Sequence, residues 1–497
     1  MKEHNSAVTS ATNASAFDRK IARGVARYQK LNGDYSFFFS KINGYDDNNE
    51  AWIYSEEKRK LNFCTYSYLG LLKHPAIEAA AQQALKKYGT GTHGVRLLGG
   101  NLDIHEQLEQ RIADFFGREA ALTFSSGFMT NLTVIDSLLG KGDVIFCDEL
   151  NHASIIDGCR IGNAEVVRFP HNDMQALDRL LADAPPQVRK LVIVDAVYSM
   201  EGDLAPLDTL IALRDRHLNT LLMVDEAHSL GVLGANGKGI EEHFNRRGQI
   251  DILMGTLSKT LPGQGGFIAA TQAVIHYLRM TARGFIFSAA LSPITTAAML
   301  AAFDVLEQEG PQRRQKLMEN ITYFVAALRS EGFEVRAEQA AIVPIMIYNE
   351  SKAFAMAQYC HQQDIYVMPV GYPAVPKGQE RLRMNVTYHH SKEDLDLALQ
   401  VLCAARGRWR RKAGRLSHKK CRSADADRHS HLCHSVNVAQ FTFTGMPERA
   451  LIAASTSLWL TPLSISTLPT AGDNITGTGS FDFSCSSLAE SGLCTSR

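Results

Sequence analysis

Charge of a single sign is missing from this chain. Its 497 residues hold 52 basic and 52 acidic side chains, so no overall field recruits nucleic acid or an anionic membrane. Long hydrophobic runs are missing too. No uninterrupted apolar stretch reaches about 18 residues, so no transmembrane segment is expected. The polar N-terminus, MKEHNSAVTSATNASAF, lacks the apolar core of a secretory signal. A disulfide framework is absent as well. The nine cysteines (64, 147, 159, 360, 403, 421, 433, 485 and 494) are scattered and odd in number, which fits a reducing compartment. The expectation is a soluble, cytoplasmic protein. Its length exceeds one ordinary core and points to more than one domain.

What is present is an alternation of helical and strand signals. Residues 1–16 read as disordered and 17–32 as a short, solvated basic helix. Turns are expected at Asn43-Gly44 and Asp46-Asp47, with strand-like Lys60-Leu61-Asn62-Phe63 after them. Helices are expected over 76–88 and 102–116. Strands are expected over 120–124, 143–147, 165–169, 190–194, 220–224, 251–256 and 266–271. Runs such as Leu191-Val192-Ile193-Val194 are apolar on both faces, which belongs in a largely parallel α/β sheet covered by helices. Beyond 291 the pattern turns α+β. A helix ends near Glu309 with Gly310 as its stop, and a second covers 312–330. Strands follow at 333–335, 342–347 and 365–368, with helices at 352–363 and 392–405.

The division that results is an N-terminal arm (1–60), a large domain (61–300), a smaller C-terminal domain (301–406) and a tail (407–497). The tail opens with a basic run, then shows no helical or strand period, and is expected to be disordered. Its Cys421, His429, His431, Cys433 and His434 match no zinc spacing, so no metal is expected.

In an open α/β sheet, ligands gather beyond the carboxyl ends of the strands. Ser125-Ser126-Gly127-Phe128 follows one strand and enters a helix, offering free amides to a phosphate. Asn151-His152-Ala153-Ser154 follows another, and His152 can stack on a flat ring. Tyr198-Ser199-Met200-Glu201-Gly202, Asp225-Glu226-Ala227-His228 and Gly255-Thr256-Leu257-Ser258-Lys259 follow three more. Each has an ordinary reading: an N-cap, a loop histidine, a solvated lysine. Together they offer a phosphate cradle, a stacking ring, a carboxylate and an amine, the parts that pyridoxal phosphate needs.

At this point the chain resembles the α-oxoamine synthases, a group of fold type I pyridoxal-phosphate transferases. The resemblance runs over about residues 60–405. It is carried by Asn62-Phe63-Cys64-Thr65-Tyr66-Ser67-Tyr68-Leu69-Gly70, Gly91-Thr92-His93-Gly94-Val95-Arg96, the segments just quoted, Tyr372-Pro373-Ala374-Val375-Pro376 and Arg381-Leu382-Arg383. It implies a large domain with a mostly parallel sheet, a smaller α+β domain and a homodimer. It also implies decarboxylative condensation of an α-amino acid with an acyl thioester, drawn from acyl-CoA or an acyl carrier protein.

By position, Lys259 matches the cofactor-bearing lysine and Asp225 the partner of the pyridine nitrogen. His152 matches the stacking histidine, and His228 and Ser199 match residues near the cofactor's ring oxygen. Ser126, Gly127, Phe128 and Thr256 match cofactor and phosphate contacts. Arg383 matches the arginine for the amino-acid carboxylate, with Tyr66 and Thr387 as further substrate contacts. The chain departs from the family pattern at Ala289, which leaves only Ser288 as a phosphate hydroxyl, and at His93 in the glycine-rich turn. Tyr66-Ser67 is closer to the serine palmitoyltransferase version than to the oxononanoate synthase one. An aminotransferase or lyase on the same fold, and a non-catalytic partner subunit, are the alternative readings.

Overall fold

Strands that are apolar on both faces need cover on both faces, and the computed structural model of the protein provides it. The structure describes residues 15–34, 37–47, 49–336 and 339–426. In chain order the strands are β1 Ile42–Tyr45, β2 Trp52–Ser55, β3 Lys58–Asn62, β4 Ala120–Phe124, β5 Val144–Asp148, β6 Glu165–Phe169, β7 Lys190–Asp195, β8 Thr220–Asp225, β9 Ile252–Ser258, β10 Pro262–Ala270, β11 Ile342–Met346, β12 Ile365–Tyr366, β13 Met368–Val370 and β14 Arg381–Asn385. The helices are α1 Ala16–Asp34, α2 Pro75–Tyr88, α3 Asp103–Phe116, α4 Gly127–Leu138, α5 Ala153–Ile161, α6 Met174–Asp183, α7 Leu207–Arg216, α8 Ile240–His243, α9 Gln272–Thr281, α10 Arg283–Ile286, α11 Pro293–Ser330, α12 Glu350–Gln362 and α13 Lys392–Ala426.

The central sheet has the order β4-β10-β9-β8-β7-β5-β6. β9, β8, β7, β5 and β6 pair in parallel, and β10 runs antiparallel to β4 and β9 on either side of it. Alternate residues of one strand enter different cores. On β7, Val192 and Val194 join one apolar cluster, while Leu191 and Ile193 join the other. That is why this strand reads as a continuous apolar run. β10 can lie close against β9 because Gly255 has no Cβ, which would stand 2.2 Å from the Phe267 ring. Two smaller sheets flank the main one: β1-β2-β3-β12 and β11-β14-β13.

The main strands fall where the apolar runs predict, and five local features differ. The expected strand over 333–335 is no more than an isolated bridge from Val335 to Ile345. Asn43-Gly44 forms no turn; it lies inside β1, where the pairing with β2 slips between Ile42 and Gly44. The expected strand over 365–368 is two short strands in different sheets, with β12 beside β3 and β13 beside β14. Gly310 does not stop a helix. α11 runs through Gly310 and Pro311 as one element of 38 residues. Pro311 has no N–H for the Glu307 carbonyl, but buried residues on both sides of this point hold the helix together. Met299 and Leu306 pack before it, and Leu317, Ile321 and Phe324 after it. Finally, α13 continues past 405 to Ala426, into the stretch that reads as disordered. That stretch contains no proline and many Arg, Lys and Ala residues, which continue a helix without any apolar period. Residues 427–497, and with them His429, His431, Cys433 and His434, lie outside the described residues.

A buried ion cluster fastens the glycine-rich turn to the sheet. Glu109 on α3 accepts two bonds from Arg96, at 2.7 and 3.0 Å, and one from Arg279 at 2.8 Å. It also accepts the Thr123 amide at 3.0 Å. Arg96 and Glu109 are both buried. Removing one partner strands the other's charge in the interior. Glu109→Ala should therefore lower the unfolding free energy by about 3–5 kcal/mol in a denaturant melt.

Candidate active site

Five strand ends place the site. β4 leads into Ser126 and Gly127, β5 toward His152, β7 ends at Asp195, β8 at Asp225, and β9 at Ser258 next to Lys259. The register explains the closest pair. Asp195 and Asp225 are partners on neighbouring parallel strands, and both are buried. Asp225 accepts the Asn131 side-chain amide at 2.8 Å and the Ala227 N–H at 2.9 Å. Asp195 accepts the His152 backbone N–H at 2.7 Å. Burial, with the Asp225 carboxylate beside it, pushes the Asp195 carboxyl well above the usual range. The pair thus favours a protonated Asp195 beside Asp225.

His152 caps α5, and its Nδ1 meets the Ser154 hydroxyl at 2.8 Å. That bond fixes the ring's tilt, while the side chain remains open to the cleft. Phe128 stands edge-on to it at 6.4 Å. Burial of the ring, together with the Lys259 charge, lowers the His152 pKa against the opposing pull of Asp225. His228 is buried and shares a 2.7 Å hydrogen bond with the Tyr68 hydroxyl through Nδ1. Burial, then Lys259 and Arg383, push its pKa far down, so it is a neutral imidazole at pH 7.

Tyr66 joins the two cations. Its ring centroid lies 5.8 Å from Lys259 Nζ and 5.3 Å from Arg383 Cζ. Burial lowers the Lys259 pKa to about 8; Asp225 and Asp195 oppose the shift and Arg383 assists it. Arg383, in the middle of β14, gives its Nε–H to the Ser199 carbonyl at 2.6 Å. Its Nη2 is buried and has no hydrogen-bond partner among the described residues. A guanidinium with a buried, unoccupied donor is suited to a carboxylate.

The donor set fits pyridoxal phosphate. The N-terminus of α4 packs so tightly on β9 and β10 that only glycine fits there. A Cβ on Gly127 would stand 3.0 Å from Thr256 Oγ1, and one on Gly266 would stand 2.7 Å from the Gly127 Cα. Beside this helix start, the Thr256 hydroxyl meets that of Ser258 at 2.8 Å. Free amides and hydroxyls at a helix N-terminus suit a phosphate, Asp225 suits a protonated ring nitrogen, and Lys259 suits an aldehyde.

Lys259, Asp225, His152, His228, Tyr66, Arg383, Gly127 and Thr256 thus converge. Others are held differently. The Ser126 hydroxyl caps α4, accepting the Met129 N–H at 3.1 Å. Ser199 contributes its carbonyl to Arg383. The Thr387 hydroxyl faces His390 Nδ1 at 3.1 Å, and no hydrogen bond among the described residues joins it to the cluster. Ser288 is equally unconnected, in the segment where Ala289 bridges Val95. Tyr68 and Asn131 went unassigned in the sequence. Asn131 carried one signal, an amide on the face that α4 buries.

These shifts can be checked on the cofactor-free protein. Labelling of Lys259 by an amine reagent, mapped by mass spectrometry against pH, should have its midpoint near about 8. Arg383→Met removes a neighbouring cation and should move that midpoint upward.

The comparisons agree with this geometry. Residues 58–402 match the family model described as aminotransferase class I and II. The chain is 42% identical over 345 residues to the 8-amino-7-oxononanoate synthase of Thermoanaerobacter pseudethanolicus, covering 69% of this chain and 87% of that protein. It is 38% identical over 373 residues to the serine palmitoyltransferase of Sphingobacterium spiritivorum, covering 75% and 92%. A solved serine palmitoyltransferase from S. paucimobilis, with bound PLP and myriocin, superposes with a TM-score of 0.75 at 33% identity, covering 79% of this chain and 98% of that one. With a strand-end lysine, a carboxylate and a histidine brought together in this way, the chain belongs to the α-oxoamine synthases, pyridoxal-phosphate enzymes of the aminotransferase class I and II family.

Proposed function

We propose that the protein condenses an α-amino acid with an acyl thioester, with loss of CO2, to give an α-amino ketone. The observation that carries this reading is the pairing of Lys259 and Arg383 about the Tyr66 ring. It sets an amine of lowered pKa beside a guanidinium with a free buried donor. An amino acid offers its α-carbon to the one and its carboxylate to the other. Pyridoxal phosphate, when bound, supplies an aldehyde for the amine and an electron-poor ring that accepts the electron pair of the α-carbon.

The chain's own residues do the rest. Asp225, steadied by Asn131 and the Ala227 amide, keeps a proton on the ring nitrogen. His152 would cover one face of the ring. Ser126, Gly127 and Phe128 at the start of α4, with Thr256 on β9, would hold the phosphate, and Ser288 would reach it from the second copy of a homodimer. His228 and Ser199 line the ring-oxygen side. Lys259 removes the α-proton and returns it after CO2 leaves, a task suited to an amine titrating near pH 8. His152 or His228, as a neutral imidazole, polarises the acyl oxygen. Arg383 grips the amino-acid carboxylate, and Tyr66 and Thr387 border it.

The large domain, 61–300, holds the cofactor, and the small one, 301–406, supplies Arg383. Exposed Leu97, Leu98 and Phe287 form an apolar surface near the Val95–Ala289 bridge, which supports a homodimer. No helix among the described residues is long and apolar enough to cross a membrane, in keeping with work in the cytoplasm. The acyl donor is a CoA thioester or an acyl carrier protein.

Glycine, alanine and serine, each offered with acyl-CoA and acyl carrier protein donors, should release free thiol and CO2 in step. Mass spectrometry should find the α-amino ketone. Release of a keto acid without thiol would point to an aminotransferase and sink the reading. Lys259→Ala should lower kcat by about 10²–10⁴. Arg383→Lys should raise the amino-acid KM by about tenfold and leave the thioester KM unchanged, because the two-pronged grip is lost.

A further inference from the structure

One cluster beside the site has no part in the chemistry just described. His171, in the loop after β6, lies between two carboxylates. Its Nδ1 is 3.1 Å from Asp148 Oδ1 and its Nε2 is 2.9 Å from Asp203 Oδ2. The edge of its ring meets Tyr198 at 4.3 Å. Burial lowers the imidazole pKa, but the hydrogen bonds to Asp148 and Asp203 outweigh it and raise it to about 10.

The two carboxylates belong to different loops. Asp148 ends β5 and starts the loop that carries His152; it also accepts the Leu150 and Asn172 amides, each at 2.9 Å. Asp203 closes the turn after β7, where its carbonyl accepts the Tyr198 N–H at 3.1 Å and Gly202 N–H donates to Tyr198 O at 2.7 Å. Asn172 adds a bond to the Leu204 carbonyl at 3.1 Å. On its other side, that turn meets β14. Arg381 donates to the Met200 carbonyl at 2.8 Å, and Arg383 donates to the Ser199 carbonyl at 2.6 Å.

We propose that His171 is a positioning residue for amino-acid binding: bridging Asp148 and Asp203, it fixes the 198–203 turn whose Ser199 carbonyl aims Arg383. This rests on the reading of Arg383 as the carboxylate-binding group. Ser199 O is the acceptor seen for Arg383 Nε, so displacement of the turn redirects the guanidinium. It leaves Lys259, which follows β9, where it is. The effect therefore falls on the amino acid and spares the acyl thioester.

The test uses the holoenzyme and two variants. His171→Gln removes the bridging charge. Asp203→Asn weakens one arm at a side chain that is 43% exposed, where folding is tolerant. The amino acid is l-serine, l-alanine or glycine, whichever the wild type turns over. Its KM, and its dissociation constant by calorimetry, should rise about tenfold in His171→Gln and by less in Asp203→Asn. The acyl-thioester KM should stay unchanged and kcat should stay within about twofold. If His171→Gln does not fold, Asp203→Asn carries the test alone. Unchanged amino-acid constants in folded variants, or a parallel rise in both KM values, would overturn the inference. Failure of the wild type to bind any of the three would overturn the function it rests on, and this inference with it.

Discussion

A carboxylate taken out of water must find a partner, and Asp225 is the group around which this molecule is arranged. It lies at a strand end beside a second buried carboxyl, Asp195. One amide side chain and one backbone N–H are the only hydrogen-bond donors to it among the described residues. Such a site is unstable for an anion unless a cation or a donor of comparable strength faces it. A protonated pyridine nitrogen would answer that need. The sheet order brings the answering pieces to the same edge, because β4, β5, β7, β8 and β9 all end there.

The same burial sorts the surrounding groups by protonation. Desolvation is the largest influence on Lys259, His152, His228 and Asp195 alike, and it pushes each toward its neutral form. Both imidazoles are thereby freed to act as polarising groups, and the amine gains a usable lone pair. The cleft therefore combines the Arg383 guanidinium with several groups poised for proton transfer.

How much of this was legible in the sequence depended on distance along the chain. Strands apolar on both faces announced themselves, and the residues at their ends came with them, so His152, Asp225 and Lys259 could be read locally. Arg383 was reached through family resemblance, because β14 has charged residues at Arg381 and Arg383 and no run that marks a strand. Tyr68 and Asn131 were missed because their roles exist only in pairs. Tyr68 meets His228 across 160 residues and Asn131 meets Asp225 across 94. The stop expected at Gly310 failed for a related reason. Local punctuation predicted a break, and buried packing on both sides of it prevailed.

That unbroken α11 bears on movement. Its first half packs on the central sheet, where Met299 crowds Gly263; in its second half Asn320 holds the carbonyls of Thr387 and His390. The sheet that leads to Lys259 and the segment just after Arg383 thus share one continuous helix. The missing rung of its hydrogen-bond ladder, at Glu307 and Pro311, is the weakest point for bending. A bend in α11 at that point would change the spacing of Lys259 and Arg383, because the helix packs both against the central sheet and beside the segment that follows β14.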